Sequence, residues 1–250
     1  MDIVDLLDLL YYLKWIFLSF QLLILAITFI LVNLDSVRSE FGTKKILLVT
    51  AHPDDESMFF IPFIVNFRRT NDIYLLCLSN GDADDLGSTR EVELAKACTF
   101  LGVKGHTIID NESLKDGMNN RWNTQLIEQI VLKEIRERDA NIIVSFDIKG
   151  ISSHPNHCAI SQAMQKIANK EESIDKELKF FELETTGIIR KYIGVLDAIL
   201  SFRNDYVFLN VNLFTTWKAM ATHHSQFVWF RKLFVLFSRY GYINTLAKIN

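Results

Sequence analysis

Four short apolar runs recur along the sequence with longer amphipathic stretches between them: KILLVT at 45–50, IYLLCLS at 73–79, HTIID at 106–110 and NIIVSFD at 141–147. The intervening segments, around Glu56 to Arg69, Ser88 to Leu101 and Trp122 to Arg138, space their apolar residues as helices do. Strand and helix in alternation predict an α/β fold, Rossmann-like in outline, with a mostly parallel sheet covered by helices on both faces. STRE at Ser88–Glu91 has the spacing of a capping box at a helix start, and Gly102 stands where that helix should stop. With 250 residues, 49% of them apolar, the chain can bury the core of one such domain.

Ahead of the first strand, Ile16 to Leu34 contains no charged residue. As a helix this run is roughly 28 Å long, enough to cross the hydrocarbon core of a bilayer. A cleaved signal peptide would need a basic leader and a small-residue cleavage site. The leader here carries Asp2, Asp5 and Asp8 against Lys14 alone, so an uncleaved anchor is expected. Arg38, Lys44 and Lys45 on its C-terminal side assign that side to the cytoplasm. The expected layout is a short lumenal N-terminus at 1–15, a transmembrane helix at 16–34, a polar linker at 35–43 and a cytosolic globular domain at 44–250. Cys77, Cys98 and Cys158 have no paired spacing and suit a reducing compartment. A net charge of −3 with no long basic block argues against a nucleic-acid partner.

In an open parallel sheet, ligands bind beyond the carboxyl ends of the strands. The first run discharges directly into AHPDDE, which puts His52, Asp54 and Asp55 at one such end; the fourth is followed by Asp147, His154 and His157. No glycine-rich phosphate fingerprint follows the first strand, which argues against a dinucleotide site. Two imidazoles and one carboxylate are a known ligand set for catalytic zinc, with a position left for water. Adjacent Asp54 and Asp55 cannot point the same way from a turn, so one can bind metal while the other faces the water. Pro155 suits the first position of a helix, which would place His157 in its first turn. Each part also has a plain structural reading, His-x-x-His as a helix cap and HPDDE as a polar turn facing a helix N-terminus. Their occurrence at two strand ends of one sheet favours the functional reading.

AHPDDE followed by HPNH resembles the zinc-dependent sugar de-N-acetylases (the PIG-L/LmbE-like family), which act on N-acetylglucosamine linked to inositol-type groups. LLVTAHPDDESMFF, YLLCLSNGD, TIIDN, SFDIKGISSHPNH, RKYIGVLD and WFRKLFVLFSRYGYIN look like successive blocks of its membrane-anchored eukaryotic branch, covering Lys45 to the C-terminus. The resemblance implies a divalent metal, zinc, held by His52, Asp55 and His157. It implies Asp54 as general base, and His154, taken as an imidazolium, assisting at the oxyanion or the leaving amine. The implied reaction is deacetylation of N-acetylglucosaminyl-phosphatidylinositol, the second step of GPI-anchor synthesis, at the endoplasmic reticulum membrane. The partners it implies are thus a lipid-linked sugar and a membrane. Two positions depart from the family pattern: Ser88 replaces a glutamate before Thr89 and Arg90, and Pro155 replaces a small polar residue.

Further candidates for substrate contact are Arg90, Arg190 and Lys191, for a phosphate or headgroup, and Asp82 in the acidic loop with Asp84 and Asp85; plain surface solvation is the alternative for each. His223 and His224 lie in a helix-like run far from the strand ends and read as structural. QFVWFRKLFVLFSRYGYIN, from Gln226 to Asn244, suits either a helix laid on a membrane surface or a core helix with a basic edge. Two other functions remain compatible with the sequence: a deacetylase of another N-acetylglucosamine conjugate, and a non-catalytic membrane-tethered interaction protein.

Overall fold

The computed structural model describes residues 11–17, 19–24, 40–170, 178–201 and 204–249. Among these no helix is long and apolar enough to cross a membrane. Residues 1–10 of the expected lumenal segment, and residues 18 and 25–34 of the expected span, lie outside the described residues.

Seven strands form one sheet in the order β3-β2-β1-β4-β5-β7-β6. The four expected strands are present as β1 (Lys45–Thr50), β2 (Asp72–Cys77), β3 (Gly105–Ile108) and β4 (Ile142–Phe146), all parallel. β5 (Lys179–Leu183) continues the parallel half beside β4. β7 (Ile243–Lys248) is antiparallel to both β5 and β6 (Tyr206–Leu209). Every position of β4 and all but the first of β1 are buried, which requires cover on both sheet faces and explains why these runs are continuously apolar.

The first helical segment is split into α1 (Asp55–Phe59) and α2 (Ile61–Phe67). Pro62, which has no N–H to continue the ladder, sits in the first turn of α2 and accounts for the break at Phe60. α3 (Gly87–Leu101) ends at Gly102 as expected but does not begin with the STRE box. Leu86 is at its N-cap and Ser88 lies inside the helix; the Asp82 carboxylate accepts the Gly87 N–H instead, at 2.6 Å. α4 (Thr124–Arg138) starts from Asn123, whose side chain accepts the Gln125 N–H, and packs against α5 (Pro155–Ala168). After β5 come α6 (Ile188–Tyr192), α7 (Leu213–Thr222) and α8 (Trp229–Phe237).

The linker expected over 35–43 is described from residue 40, and there it belongs to the domain. Phe41 is fully buried, 4.9 Å from the Phe67 ring and 4.6 Å from the Phe181 ring, and Glu40 pairs with Lys179 at 3.3 Å. An aromatic side chain with that much apolar area is drawn into the core wherever the chain passes it. The strand order reverses between β1 and β4, so the crevice of this fold opens where those two strands end.

Candidate active site

β1 gives way at Thr50 to the His52–Pro53–Asp54 turn, which Asp55 closes: its Oδ2 accepts the backbone N–H groups of Ala51 (3.0 Å) and His52 (2.9 Å). Asp54 has φ 111° and ψ −19°, a left-handed conformation that a residue with a Cβ adopts only when its surroundings impose it. Glu56 supplies that constraint by accepting the Asp54 N–H on Oε2 at 3.2 Å. Glu56 is in turn held by the Ser57 hydroxyl (2.6 Å) and by His223 Nε2 (2.7 Å). The three consecutive acids therefore point in three directions.

At the end of β4, Asp147 accepts the N–H groups of Lys149, Gly150 and Thr185 and the Thr185 hydroxyl, which ties off the loop. His154 is the N-cap of α5 and Pro155 its first residue, as the sequence predicts. His157 stacks on Phe146 with ring centroids 4.0 Å apart and planes within 3°, and its Nδ1 lies 3.1 Å from the Gly150 carbonyl, to which it donates. Gly150 has φ 53°, and a Cβ there would stand 2.6 Å from the His157 Cβ. Only glycine lets this loop approach so closely.

One ligand atom from each of His52, Asp55 and His157 lies within 4.8 Å of the others, and all three residues are buried. With its Nδ1 donating to Gly150, His157 keeps a lone pair on Nε2, which faces Asp55 Oδ1 at 3.3 Å and has no hydrogen-bond partner. Two buried acceptors facing one another repel unless a cation stands between them. His52 repeats the pattern: Nε2 lies 3.0 Å from Asp116 Oδ1 and 3.2 Å from Asn156 Oδ1, so the proton belongs there, and Nδ1 stands 3.8 Å from Asp55 Oδ2. These donors fit a divalent metal of the zinc type. His52, Asp116 and His154 make a second possible donor group. Asp116, however, already accepts from His52, which makes it a partner that orients a ligand.

The two aspartates differ electrostatically. Burial penalises the Asp55 carboxylate, but positive charge at His157 and His52, which a cation between them would supply instead, and the His52 N–H outweigh it and hold Asp55 well below the usual carboxylate range. Burial pushes Asp54 above that range, opposed by Arg231, whose guanidinium is 3.2 Å from Oδ2, and by Arg90, 3.7 Å from Oδ1. A permanently ionised carboxylate beside one poised to take up a proton is the division of labour expected of ligand and base. His154 is shifted toward its neutral form. Its Nδ1 accepts the Asn156 N–H at 3.3 Å, and burial together with His52 and His157 pushes its pKa down to about 4.

These groups lie in a cavity of about 510 Å³, with Asp54, Asp55 and the three histidines among its lining and Met58, Tyr192, Phe230 and Leu233 contributing apolar wall. The family model described as GlcNAc-PI de-N-acetylase (PIG-L) matches residues 47–168. A probable N-acetylglucosaminyl-phosphatidylinositol de-N-acetylase of Dictyostelium discoideum is 39% identical over 241 residues, covering 82% of this chain and 93% of that protein. The chain belongs to the GlcNAc-PI de-N-acetylase family. The Bos taurus enzyme of that name is 35% identical over 212 residues, covering 82% of this chain and 83% of its own. The fold is shared with N,N'-diacetylchitobiose deacetylase from Pyrococcus horikoshii, at a TM-score of 0.62 and 16% identity over 86% of each chain.

Against that family background, the remaining sequence candidates separate. Arg90 reaches the cavity wall, but its guanidinium donates to the carbonyls of Gly81 (2.8 Å) and Pro53 (2.7 Å) and so braces the HPDD turn. Asp82 caps α3 and lines a neighbouring cavity rather than the one holding the His–Asp set. Arg190 is paired with Asp197 at 2.6 Å, and Lys191 donates to the Ile151 carbonyl; neither lines the cavity. His223, expected to lie far from the strand ends, instead touches Glu56 beside Asp54. Asp116, Asn156 and Arg231 were not among the sequence candidates. Asn156 sits inside HPNH and could have been read from that motif; Asp116 reaches the site from a segment with no local signature, and Arg231 from the WFRK block, whose cations suggest a membrane or solvent edge and not the site.

Proposed function

We propose that this chain is a metal-dependent amide hydrolase that removes acetate from N-acetylglucosaminyl-phosphatidylinositol to leave glucosaminyl-phosphatidylinositol, the second step of GPI-anchor biosynthesis. The observation that carries the reading is the buried His52, Asp55 and His157 set with Asp54 beside it, in a chain whose relatives are named for that reaction. His52, Asp55 and His157 would hold the ion, which when bound acidifies a water and polarises the acetamide carbonyl. Asp54 accepts the proton of the attacking water on its carboxylate, and the Arg231 and Arg90 guanidiniums favour the ionised form against the burial that opposes it. His154, neutral and with Nδ1 occupied by the Asn156 N–H, has its Nε2–H left to donate to the oxygen that gains charge as the carbonyl carbon becomes tetrahedral. The C–N bond then breaks, and the proton held by Asp54 goes to the leaving nitrogen, so a free amine and acetic acid result, the acid giving its remaining proton to the amine or to water to leave acetate.

The uncharged run Ile16 to Leu34 supports a single-pass anchor, with the catalytic domain, from about residue 40 onward, on the cytosolic side; the endoplasmic reticulum is proposed from the names of the relatives alone. Incubation with N-acetylglucosaminyl-phosphatidylinositol, with and without a chelator, and measurement of released acetate tests the reaction. Acetate release that the chelator abolishes and added zinc restores is expected; no release with metal present would overturn the reading.

A further inference from the structure

α8 has two faces. Inward, Val235 is buried, Phe234 meets the Phe59 ring at 5.6 Å, and Arg231 extends to Asp54. Outward, Trp229 is 72% exposed and Phe230, Leu233, Leu236 and Phe237 are exposed with it. The spacing 229, 233, 236 and 237 is one stripe of a helix, so this apolar surface is continuous along α8. α6 stands beside it, joined through an edge-on contact of Tyr192 with Phe234 at 6.3 Å. Because Arg190 and Lys191 turn inward to Asp197 and the Ile151 carbonyl, α6 presents Ile188, Ile189 and Tyr192 outward, Ile189 at 77% exposure. Tyr192, Phe230, Leu233 and Phe237 also line the cavity that holds Asp54. The two apolar elements thus flank the mouth of the active site.

α8 itself carries no acid: of the cations in this part of the chain Arg231 turns inward to Asp54, Arg239 is buried and Lys248 pairs with Glu40. Lys232 is exposed on α8 between the aromatic positions. Exposed tryptophan, phenylalanine and leucine beside an exposed lysine, on a helix without acids, is the composition of a surface that lies in the headgroup region of an anionic bilayer.

We propose that Ile188, Ile189, Trp229, Phe230, Leu233 and Phe237 seat the mouth of the cavity on the surface of an anionic bilayer, so that the sugar end of a lipid substrate enters while its acyl chains stay in the membrane. The proposal rests on the lipid-linked substrate named under Proposed function and specifies the surface that meets the bilayer. It also makes α8 a single rigid link between docking and chemistry, since its outer face takes the membrane and its Arg231 stands at the base.

The test uses the full chain in nanodiscs containing phosphatidylserine. Spin labels at Ile189→Cys and Trp229→Cys should read as buried at the headgroup and acyl boundary; labels that stay in water overturn the proposal. Labels that couple to one another between chains in detergent and do not respond to lipid overturn it as well, and assign the face to a second copy. In parallel, the Ile189→Glu/Trp229→Glu variant should turn over vesicle-embedded substrate about tenfold or more slowly, since each apolar side chain removed from the interface weakens partitioning by about that factor. The same variant should keep its rate on a water-soluble N-acetylglucosaminyl-inositol lacking acyl chains, and Ile189→Leu/Trp229→Phe should retain both rates. An unchanged vesicle rate in the glutamate variant overturns docking. Failure of the unmodified enzyme on both substrates overturns the assigned reaction instead, while the labels still report on the surface.

Discussion

His223 Nε2 lies 2.7 Å from Glu56 Oε1, and neither side chain reaches solvent. Glu56 also fixes the backbone N–H of Asp54, so a histidine more than a hundred residues away in sequence maintains the strained turn from which the base projects. Replacing His223 by leucine leaves the Glu56 carboxylate buried without its partner, and the expected loss is about 3–5 kcal/mol in a denaturant titration. Burial lowers the His223 pKa, but Glu56 outweighs it and the net shift is upward. A raised histidine stabilises the fold fully below its ordinary pKa and stops doing so as pH rises through the raised value. The stability gap between the wild type and His223→Gln should therefore be widest in mildly acidic buffer and narrow toward alkaline pH.

Asp54→Asn keeps the size of the side chain and removes its capacity to accept a proton. Turnover should fall by about 10²- to 10⁴-fold. Bound metal, measured by elemental analysis, should stay near the wild-type level because His52, Asp55 and His157 are untouched. Near-normal deacetylation by this variant would falsify the base assignment.

Gly150→Ala tests how the second histidine is held. The new Cβ would meet the His157 Cβ at 2.6 Å and the Cys158 backbone nitrogen at 3.2 Å, at a φ of 53° that alanine disfavours. The loop must shift, the carbonyl that accepts from His157 Nδ1 moves with it, and metal affinity should drop roughly 10–100-fold. Competition with a chromophoric chelator measures this directly, and an unchanged affinity would remove Gly150 from the support of the site.

Arg231→Met acts on the base from the other side. Burial raises Asp54, and Arg231 is the strongest of the groups opposing that rise. Without it the carboxylate protonates at higher pH, so the acid limb of the kcat/KM profile should move upward while the alkaline limb stays in place. A profile that loses height without moving on its acid side would mean that Arg231 does not act through Asp54.

Much of this was legible because the informative residues lie at strand ends. An apolar run that stops in HPDD, and a second followed by HPNH, are local patterns, and the parallel sheet brings them together once both strands are recognised. β5, β6 and β7 carry no clear sequence signal, because KFFEL and INTLAK mix charge or polarity into short runs and YVFL is only four residues long. The start of α3 was misread because STRE satisfies a local rule, whereas the cap comes from Asp82 across a turn. Asp116, Arg231 and His223 escaped for the same physical reason: each enters the site through a contact with a segment distant in sequence, and nothing in its own neighbourhood records that contact. The charge on His154 is not legible in the sequence, because it depends on burial and on two other imidazoles, neither of which a motif encodes.

β7 lies between β5 and β6 rather than at an edge of the sheet. Its Asn244 side chain accepts the Phe63 N–H and donates to the Phe59 carbonyl, clasping the break between α1 and α2. On a ribosome, β1 to β5 emerge long before residue 248 does, and until then β5 presents an open flank to any other strand nearby. The nascent domain is therefore most exposed to mispairing in the interval between β5 and β7, and a premature stop just before Ile243 should yield a chain destined for degradation although every metal-binding and catalytic side chain is still encoded.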